Sequence, residues 1–292
     1  LKQETAALET LEKVRSSFPK SDAAAQSYLI ASDNFAAKDQ IDQAQKRLTP
    51  LIDSEDFRKT EFYPYALLQS ALLSERLGQP KDLEEANKSI ERLVSVTAVA
   101  AGDKGDLIFA ARLKQGEILR KMNDFPRAQH VYEELIRQPA SRENRIIARL
   151  ELAKSYNAQA ADQVNLGHAQ DLFEELTYSV EASPDVSVEA GYNLGLLLEK
   201  RGKPDEAVNV WWNRVIADFL LSEKRPAFEP NAKRPWWLGR TLVDLGALLE
   251  KQDKLEDARR AYALVGEMKL GPPSEGVARK ALERIGLPTA KP

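Results

Sequence analysis

The sequence predicts an all-α protein, a right-handed α-solenoid of helix hairpins, and three observations carry that class. Apolar residues recur at three- and four-residue steps through most of the chain, the spacing of one helix face. A step of twelve residues joins two small residues on opposite arms again and again: Ser32 to Ala44, Gly116 to Ala128, Gly195 to Ala207 and Gly246 to Ala258. Between the arms stand the residues that break helices, Gly202 with Pro204, Gly78 with Pro80, or Asn123 with Asp124. A hairpin of this kind cannot bury both its faces alone, so copies of it must stack on either side.

Residues 189–219, EAGYNLGLLLEKRGKPDEAVNVWWNRVIADF, give the clearest hairpin. Ala190, Leu194, Gly195, Leu197 and Leu198 draw the apolar stripe of its first arm. Asp205 starts the second arm, with Glu206 in its first turn and Ala207, Val208, Trp211 and Val215 as its stripe. The small pair Gly195 and Ala207 is expected to let the two backbones approach closely.

In chain order, residues 1–18 carry Ala7, Leu11 and Val14 and read as a second arm without its first, so further chain upstream is expected, and Leu1 suggests a processed or trimmed form. Residues 22–52 form the next hairpin, with Tyr28, Ala31, Ser32 and Phe35 facing Ala44, Leu48 and Leu51. Residues 63–95 follow, with Leu67, Ala71 and Leu72 or Leu73, then Ala86, Ile90 and Leu93. Their small-to-small step stretches to fifteen, assigned to a longer turn. Residues 96–106, with two glycines and several β-branched residues, read as a loop or frayed helix end. Residues 107–139 recover the clean form with Arg112, Gly116 and Leu119, then Ala128, Tyr132, Leu135 and Pro139. Residues 146–180 carry Leu150, Leu152, Ala153 and Tyr156, a polar connection over 158–167, then Ala169, Phe173 and Leu176.

The 188–219 hairpin comes next, and the three prolines of 220–235 make an inserted surface loop. The last hairpin, 236–267, has Leu242, Leu245, Gly246 and Leu249, then Ala258, Tyr262 and Val265. Residues 274–286, with Val277, Ala281, Leu282 and Ile285, are expected to cap the stack, and 287–292 to form a disordered tail.

A chain of 292 residues with 43% hydrophobic residues has enough apolar surface for a continuous core. Its 42 basic and 45 acidic residues are interspersed and leave a net charge of −3, so no global field favours nucleic acid or an anionic membrane. The absence of cysteine excludes disulfides, thiolate metal sites and cysteine nucleophiles. No apolar run reaches the roughly 18 residues that a membrane span needs.

A small residue, a small residue twelve on, and an aromatic residue or leucine one turn after each form the pattern of the tetratricopeptide repeat. The chain resembles that family from Ala7 to Val265, best in Gly116/Leu119/Ala128/Tyr132/Pro139, Gly195/Leu198/Ala207/Trp211 and Gly246/Leu249/Ala258/Tyr262. It departs from the family in lacking the first-arm tryptophan and in units of 37 to 51 residues. The phrases SSFPKSDAAAQSYL and YNLGLLLEKRGKPDEAVNVWWNRVIADF, and the turn Phe18-Pro19-Lys20-Ser21, are similar to repeats of bacterial envelope proteins such as the Tol-Pal coordinator and the barrel-assembly lipoprotein. That resemblance implies a periplasmic or envelope-associated place, with the cytoplasm as the alternative.

The resemblance also implies a non-enzymatic scaffold that binds a protein or peptide in a concave groove lined by first arms. The groove residues are Leu113, Glu117, Arg120 and Lys121; Leu150, Lys154 and Asn157; Tyr192, Leu196, Glu199 and Lys200; and Val243, Ala247, Glu250 and Lys251. Trp236 and Trp237, beside Lys233 and Arg234, either plug the gap left by the inserted loop or form an aromatic and basic hot spot for a partner. Trp211 reads as core and Trp212 as filler of the joint with the next hairpin. No catalytic residue, metal site or cofactor is expected: His130 and His168 read as surface residues, and Glu84-Glu85, Glu133-Glu134 and Glu174-Glu175 as solvated helix faces. Nucleic acid is not expected as a partner, because no basic stripe continues past Arg234. The alternatives are a homo-oligomer and a sensor or regulatory portion of a larger protein.

Overall fold

The computed structural model describes residues 2–99, 105–138, 141–159, 161–225, 227–229 and 232–286. Among these, every regular element is helical: α1 (Lys2–Ser17), α2 (Asp22–Ala36), α3 (Ile41–Asp53), α4 (Tyr63–Leu77), α5 (Pro80–Val99), α6 (Gly105–Lys121) and α7 (Phe125–Arg137) lie in one compact unit, residues 1–138. The second unit, residues 139–292, holds α8 (Arg142–Ala158), α9 (Gln163–Tyr178), α10 (Pro184–Lys200), α11 (Pro204–Asn209), α12 (Arg234–Lys251), α13 (Leu255–Glu267) and α14 (Pro272–Ile285). A short 3₁₀ turn, Glu55–Phe57, follows α3, and α11 runs straight into a π-helical stretch, Val210–Leu221.

Consecutive helices pair as antiparallel arms, α2 with α3, α4 with α5, α6 with α7, α8 with α9, α10 with α11 and its π-helical extension, and α12 with α13. The step of twelve has a physical cause in the turn. Asp39, Asn123, Gly202 and Asp253 sit in the left-handed region with φ of 60°, 60°, 75° and 59°, a conformation that Gly, Asn and Asp adopt most readily. The next amide then donates to a carbonyl five residues back, as Lys203 does to Leu198 at 2.9 Å and Lys254 to Leu249 at 2.9 Å. Each of these turn residues stands seven after the small residue of the first arm and five before that of the second.

The glycines do something other than expected. A Cβ on Gly116, Gly195 or Gly246 would overlap the ring of Tyr132, Trp211 or Tyr262, each sixteen residues further on. The missing bulk thus receives an aromatic ring from the second arm, and does not serve the approach of two backbones. Trp211 is fully buried, and its Nε1–H donates to the Tyr192 carbonyl of α10 at 3.1 Å.

The π-helical stretch was not legible from the apolar stripe. Its buried residues Val210 and Trp211, Val215 and Ile216, and Leu220 return every five residues, and Ser222 N–H donates to the Ala217 carbonyl at 2.9 Å. The wider turn brings Leu220 inward, where an α-helix would have carried it away from Trp211. Trp212 lies half-buried beside Leu245 and Leu249 of the following hairpin, with the Arg260 guanidinium 5.1 Å above its ring.

Several boundaries differ from the sequence reading. The fifteen-residue step does not lengthen the turn after α4, which is only Gly78 and Gln79; α5 starts one turn early at Pro80, so Ala86 is its seventh residue where Ala128 is the fourth of α7. Residues 96–99 are helix, because burial of Thr97, whose hydroxyl donates to the Leu93 carbonyl at 2.8 Å, outweighs the β-branched preference. Residues 100–104 lie outside the described residues. Asn165, Leu166 and Gly167 belong to α9, capped by Asp162, so the connection after α8 is shorter than expected. Leu73 is core and Leu72 is exposed. Leu220 and Leu221 close the π-helical stretch and Arg234 opens α12, which narrows the inserted loop; the expected tail, 287–292, lies outside the described residues.

Candidate functional site

The first arms of the second unit present the strongest candidate surface. Helix α10 buries Tyr192, Leu194, Gly195, Leu197 and Leu198, which leaves Glu189, Asn193, Leu196 and Lys200 as a narrow stripe at steps of four, three and four. Helix α12 leaves Trp236, Arg240, Val243, Ala247 and Lys251 in the same way.

An aromatic column crosses between these two arms. It starts at buried Trp211, passes through Tyr192 at 6.4 Å and Trp237 at a further 5.1 Å, and ends edge-on at Trp236, 4.4 Å from Trp237 and 46% exposed. Trp237 is half-buried in the joint and Trp236 faces outward. The Tyr192 hydroxyl donates to Asp244 Oδ2 at 2.8 Å and accepts from Arg240 Nη2 at 3.2 Å. Arg240 also stands 5.9 Å from the Trp236 ring. Burial pushes the Tyr192 phenol up from its ordinary value, and the hydrogen bond to Tyr192 pushes Arg240 up.

Ion pairs join neighbouring first arms along the same face. Lys154 of α8 lies 2.5 Å from Glu151 and 2.6 Å from Glu189 of α10. Burial lowers its pKa, but the two carboxylates outweigh burial and hold it above the ordinary lysine value. Lys251 of α12 meets Glu199 of α10 at 2.7 Å.

The structure thus sorts the predicted groove residues. Leu150 and Tyr192 are core, 4% and 5% exposed, because the packed face of each first arm is wider than a two-position stripe. Glu250 turns toward α13 and α14, accepting from the Tyr262 hydroxyl at 2.6 Å and from Arg284 at 2.8 Å. Lys154, Glu199 and Lys251 are engaged in the ion pairs above, Lys200 is exposed, and Leu196, Val243 and Asn157 are half-buried. In the first unit, Glu117 sits 2.6 Å from Lys114 and 3.3 Å from Lys121, which also reaches Glu75 at 2.6 Å; Leu113 and Arg120 are half-buried. Arg240 and Asp244 escaped the sequence reading, although Arg240 stands four residues after Trp236 and so shares its face. Ile30 of α2 and Tyr65 of α4, both exposed, escaped it too.

His130 is exposed 3.4 Å from Glu134, and the His168 ring lies 5.3 Å from that of Tyr156. Glu84 and Glu85 meet Lys88, and Glu175 meets Arg149. Among the described residues no group of three acidic, histidine or cysteine side chains could hold a metal ion, and no helix is long and apolar enough to cross a membrane.

Residues 110–141 match the family model described as tetratricopeptide repeat. No curated protein matches the chain. Among solved structures it is similar to a tetratricopeptide repeat protein from Parabacteroides merdae, at 17% identity and a TM-score of 0.53 over 90% of this chain and 94% of that one. It is also similar to a Podosopora anserina protein of nearly identical TPR-like repeats, at 15% identity and a TM-score of 0.50 over 76% of this chain and 98% of that one. These likenesses support the family resemblance and show the fold: all-α, built of tetratricopeptide-like hairpins.

Proposed function

We propose that this chain of tetratricopeptide-like hairpins is a non-enzymatic scaffold that binds a protein or peptide partner on the first-arm face of α8, α10 and α12. The observation that carries the reading is the aromatic column ending in exposed Trp236 beside Arg240, since tryptophan and arginine contribute interface energy out of proportion to their number. Half-buried Leu196 and Val243 continue the surface, and Lys200 and Asn193 border it, so an extended or helical segment with apolar anchors and acidic neighbours suits it. Several charges predicted for the groove join the arms to one another, which fixes the shape of the face and leaves recognition to the aromatic end.

A phage-displayed peptide library selected on the intact chain tests the reading, with each enriched peptide measured again on Trp236→Ala and Arg240→Ala. Peptides held by the parent and lost by both variants support it. Equal binding to all three, or no enrichment, removes this face from consideration. We further place this binding in bacterial envelope assembly, on the similarity of the Phe18-Pro19-Lys20-Ser21 turn to envelope repeats. Recovery of the native protein from the cytosolic fraction alone would overturn that placement.

A further inference from the structure

The joint between neighbouring second arms is filled from the first arm beneath it, by residues one before and three after the small residue of the repeat. Within the two units those positions hold Ala31 and Phe35 in α2, Gln115 and Leu119 in α6, Leu194 and Leu198 in α10, and Leu245 and Leu249 in α12. Helix α4 alone has Ser70 and Ser74 there. A leucine in that joint would gain apolar burial, whereas two serines leave it less filled and place hydroxyls there.

The serines leave a cleft of about 430 Å³ between α3 and α5, with α4 as its floor. At the same place in the second unit, where Leu245 and Leu249 stand, the cleft shrinks to about 140 Å³. The larger one falls within the range of small-ligand sites, roughly 300–1,000 Å³. Its chemistry is mixed. Leu48 and Leu67 are buried at its base beside half-buried Ile52. Ser74 is 6% exposed and accepts from Gln45 Nε2 at 3.2 Å. The charged lining is Glu85, Lys88 and Arg92 along α5, with Lys88 3.0 Å from Glu85, and Asp53 on α3. Arg92 gives one N–H to the Ile52 carbonyl at 3.0 Å and lies 5.3 Å from the Tyr63 ring, and a guanidinium has five such donors.

The lining contains no aromatic ring, which disfavours a sugar, and it carries both signs of charge, which disfavours a simple anion or cation. From Glu85 to Arg92 is seven residues of helix, about 10 Å at 1.5 Å per residue, the span of about three residues of extended peptide. We propose that this cleft binds a short zwitterionic peptide of about three residues. Its ammonium is directed to Glu85, its carboxylate to Arg92, and an aliphatic side chain lies over Leu48, Ile52 and Leu67, with Ser70 and Ser74 serving its backbone. The site lies in the first unit and is independent of the first-arm face proposed for a protein partner.

Titration calorimetry of the full chain with Ala-Leu-Ala tests this, beside acetyl-Ala-Leu-Ala-amide, which has the same shape without end charges. The parent is expected to bind the free tripeptide with a dissociation constant on the order of 1 mM or tighter, and the blocked one at least ~10-fold more weakly. Ser74→Leu, which rebuilds the joint of the other hairpins, is expected to abolish binding while the melting temperature holds or rises. Glu85→Gln, an exposed change that leaves the packing alone, is expected to weaken binding by ~10-fold and keeps the test decisive if Ser74→Leu fails to fold. Equal binding of the blocked peptide, binding that survives Ser74→Leu or is unmoved by Glu85→Gln, or no heat from the parent at ~10 mM would overturn the proposal.

Discussion

The hairpin α4/α5 of the first unit, whose second helix starts a turn early, and the hairpin α12/α13 of the second close their joints in opposite ways. In the second unit Gly246 receives the Tyr262 ring, while Leu245 and Leu249 narrow the cleft beside it to about 140 Å³. In the first unit Ala71 stands where the glycine would be, Ser70 and Ser74 flank it, and a cleft of about 430 Å³ stays open. The hairpin plan fixes where helices meet, and the residues at three positions decide whether the meeting place is core or surface.

The largest expected effect breaks the filled joint. Trp211→Ala removes a fully buried ring and the indole N–H held by the Tyr192 carbonyl, and should cost about 3–5 kcal/mol in urea denaturation. A loss below about 1 kcal/mol would mean that the ring in the glycine niche is not what holds α10 to its second arm. Gly246→Ala comes next, at about 1–3 kcal/mol, since the new Cβ overlaps the Tyr262 ring. Gly266→Ala in the same hairpin meets nothing within 4 Å and should instead stabilise by about 0.5–1 kcal/mol. Equal signs for the two glycines would dissolve the distinction between niche and surface.

Much of this was legible in the sequence and some was not, for physical reasons. The turn residues and the small-to-small step are local, fixed by backbone geometry that Gly, Asn and Asp reveal directly, so the arms could be paired by counting. The π-helical stretch was hidden because Ala207, Trp211 and Val215 also fit a spacing of four, and only the burial of Leu220 separates the two periods. Groove residues were the least legible. Leu150 and Tyr192 look like groove positions by spacing, but a first arm between two neighbours buries most of its circumference, and neighbours are not written in its own period. The serines of α4 carry no signal in the period of their own helix, because the cleft that they line is made by α3 and α5.

The ion-pair ladders sharpen the comparison from the electrostatic side. In the second unit one lysine serves two carboxylates, so Lys154→Met leaves Glu151 and Glu189, each less than a fifth exposed, facing one another. A loss of about 1–2 kcal/mol is expected at neutral pH. A loss below about 0.5 kcal/mol would mean that the aliphatic stem, which methionine keeps, is what Lys154 contributes.

In the first unit the charges balance, with Glu75 and Glu117 against Lys114 and Lys121, and the expected effect is the smallest. Burial pushes the Glu117 carboxyl up, but Lys114 and then Lys121 overcome it and hold the group below its ordinary value of 4.5. A carboxyl depressed in the fold adds stability that is present above its unfolded value and is lost as pH falls through the folded one. Glu117 is a third exposed, so screening limits the gain to about 0.2–1 kcal/mol. Glu117→Gln should therefore lower stability slightly at neutral pH and not at all once acid has protonated the parent, with the two denaturation curves converging below pH 4.5. Curves that stay parallel through that window would show that Glu117 packs but does not pair, and that the balanced ladder of the first unit contributes no charge energy where the unbalanced trio of the second does.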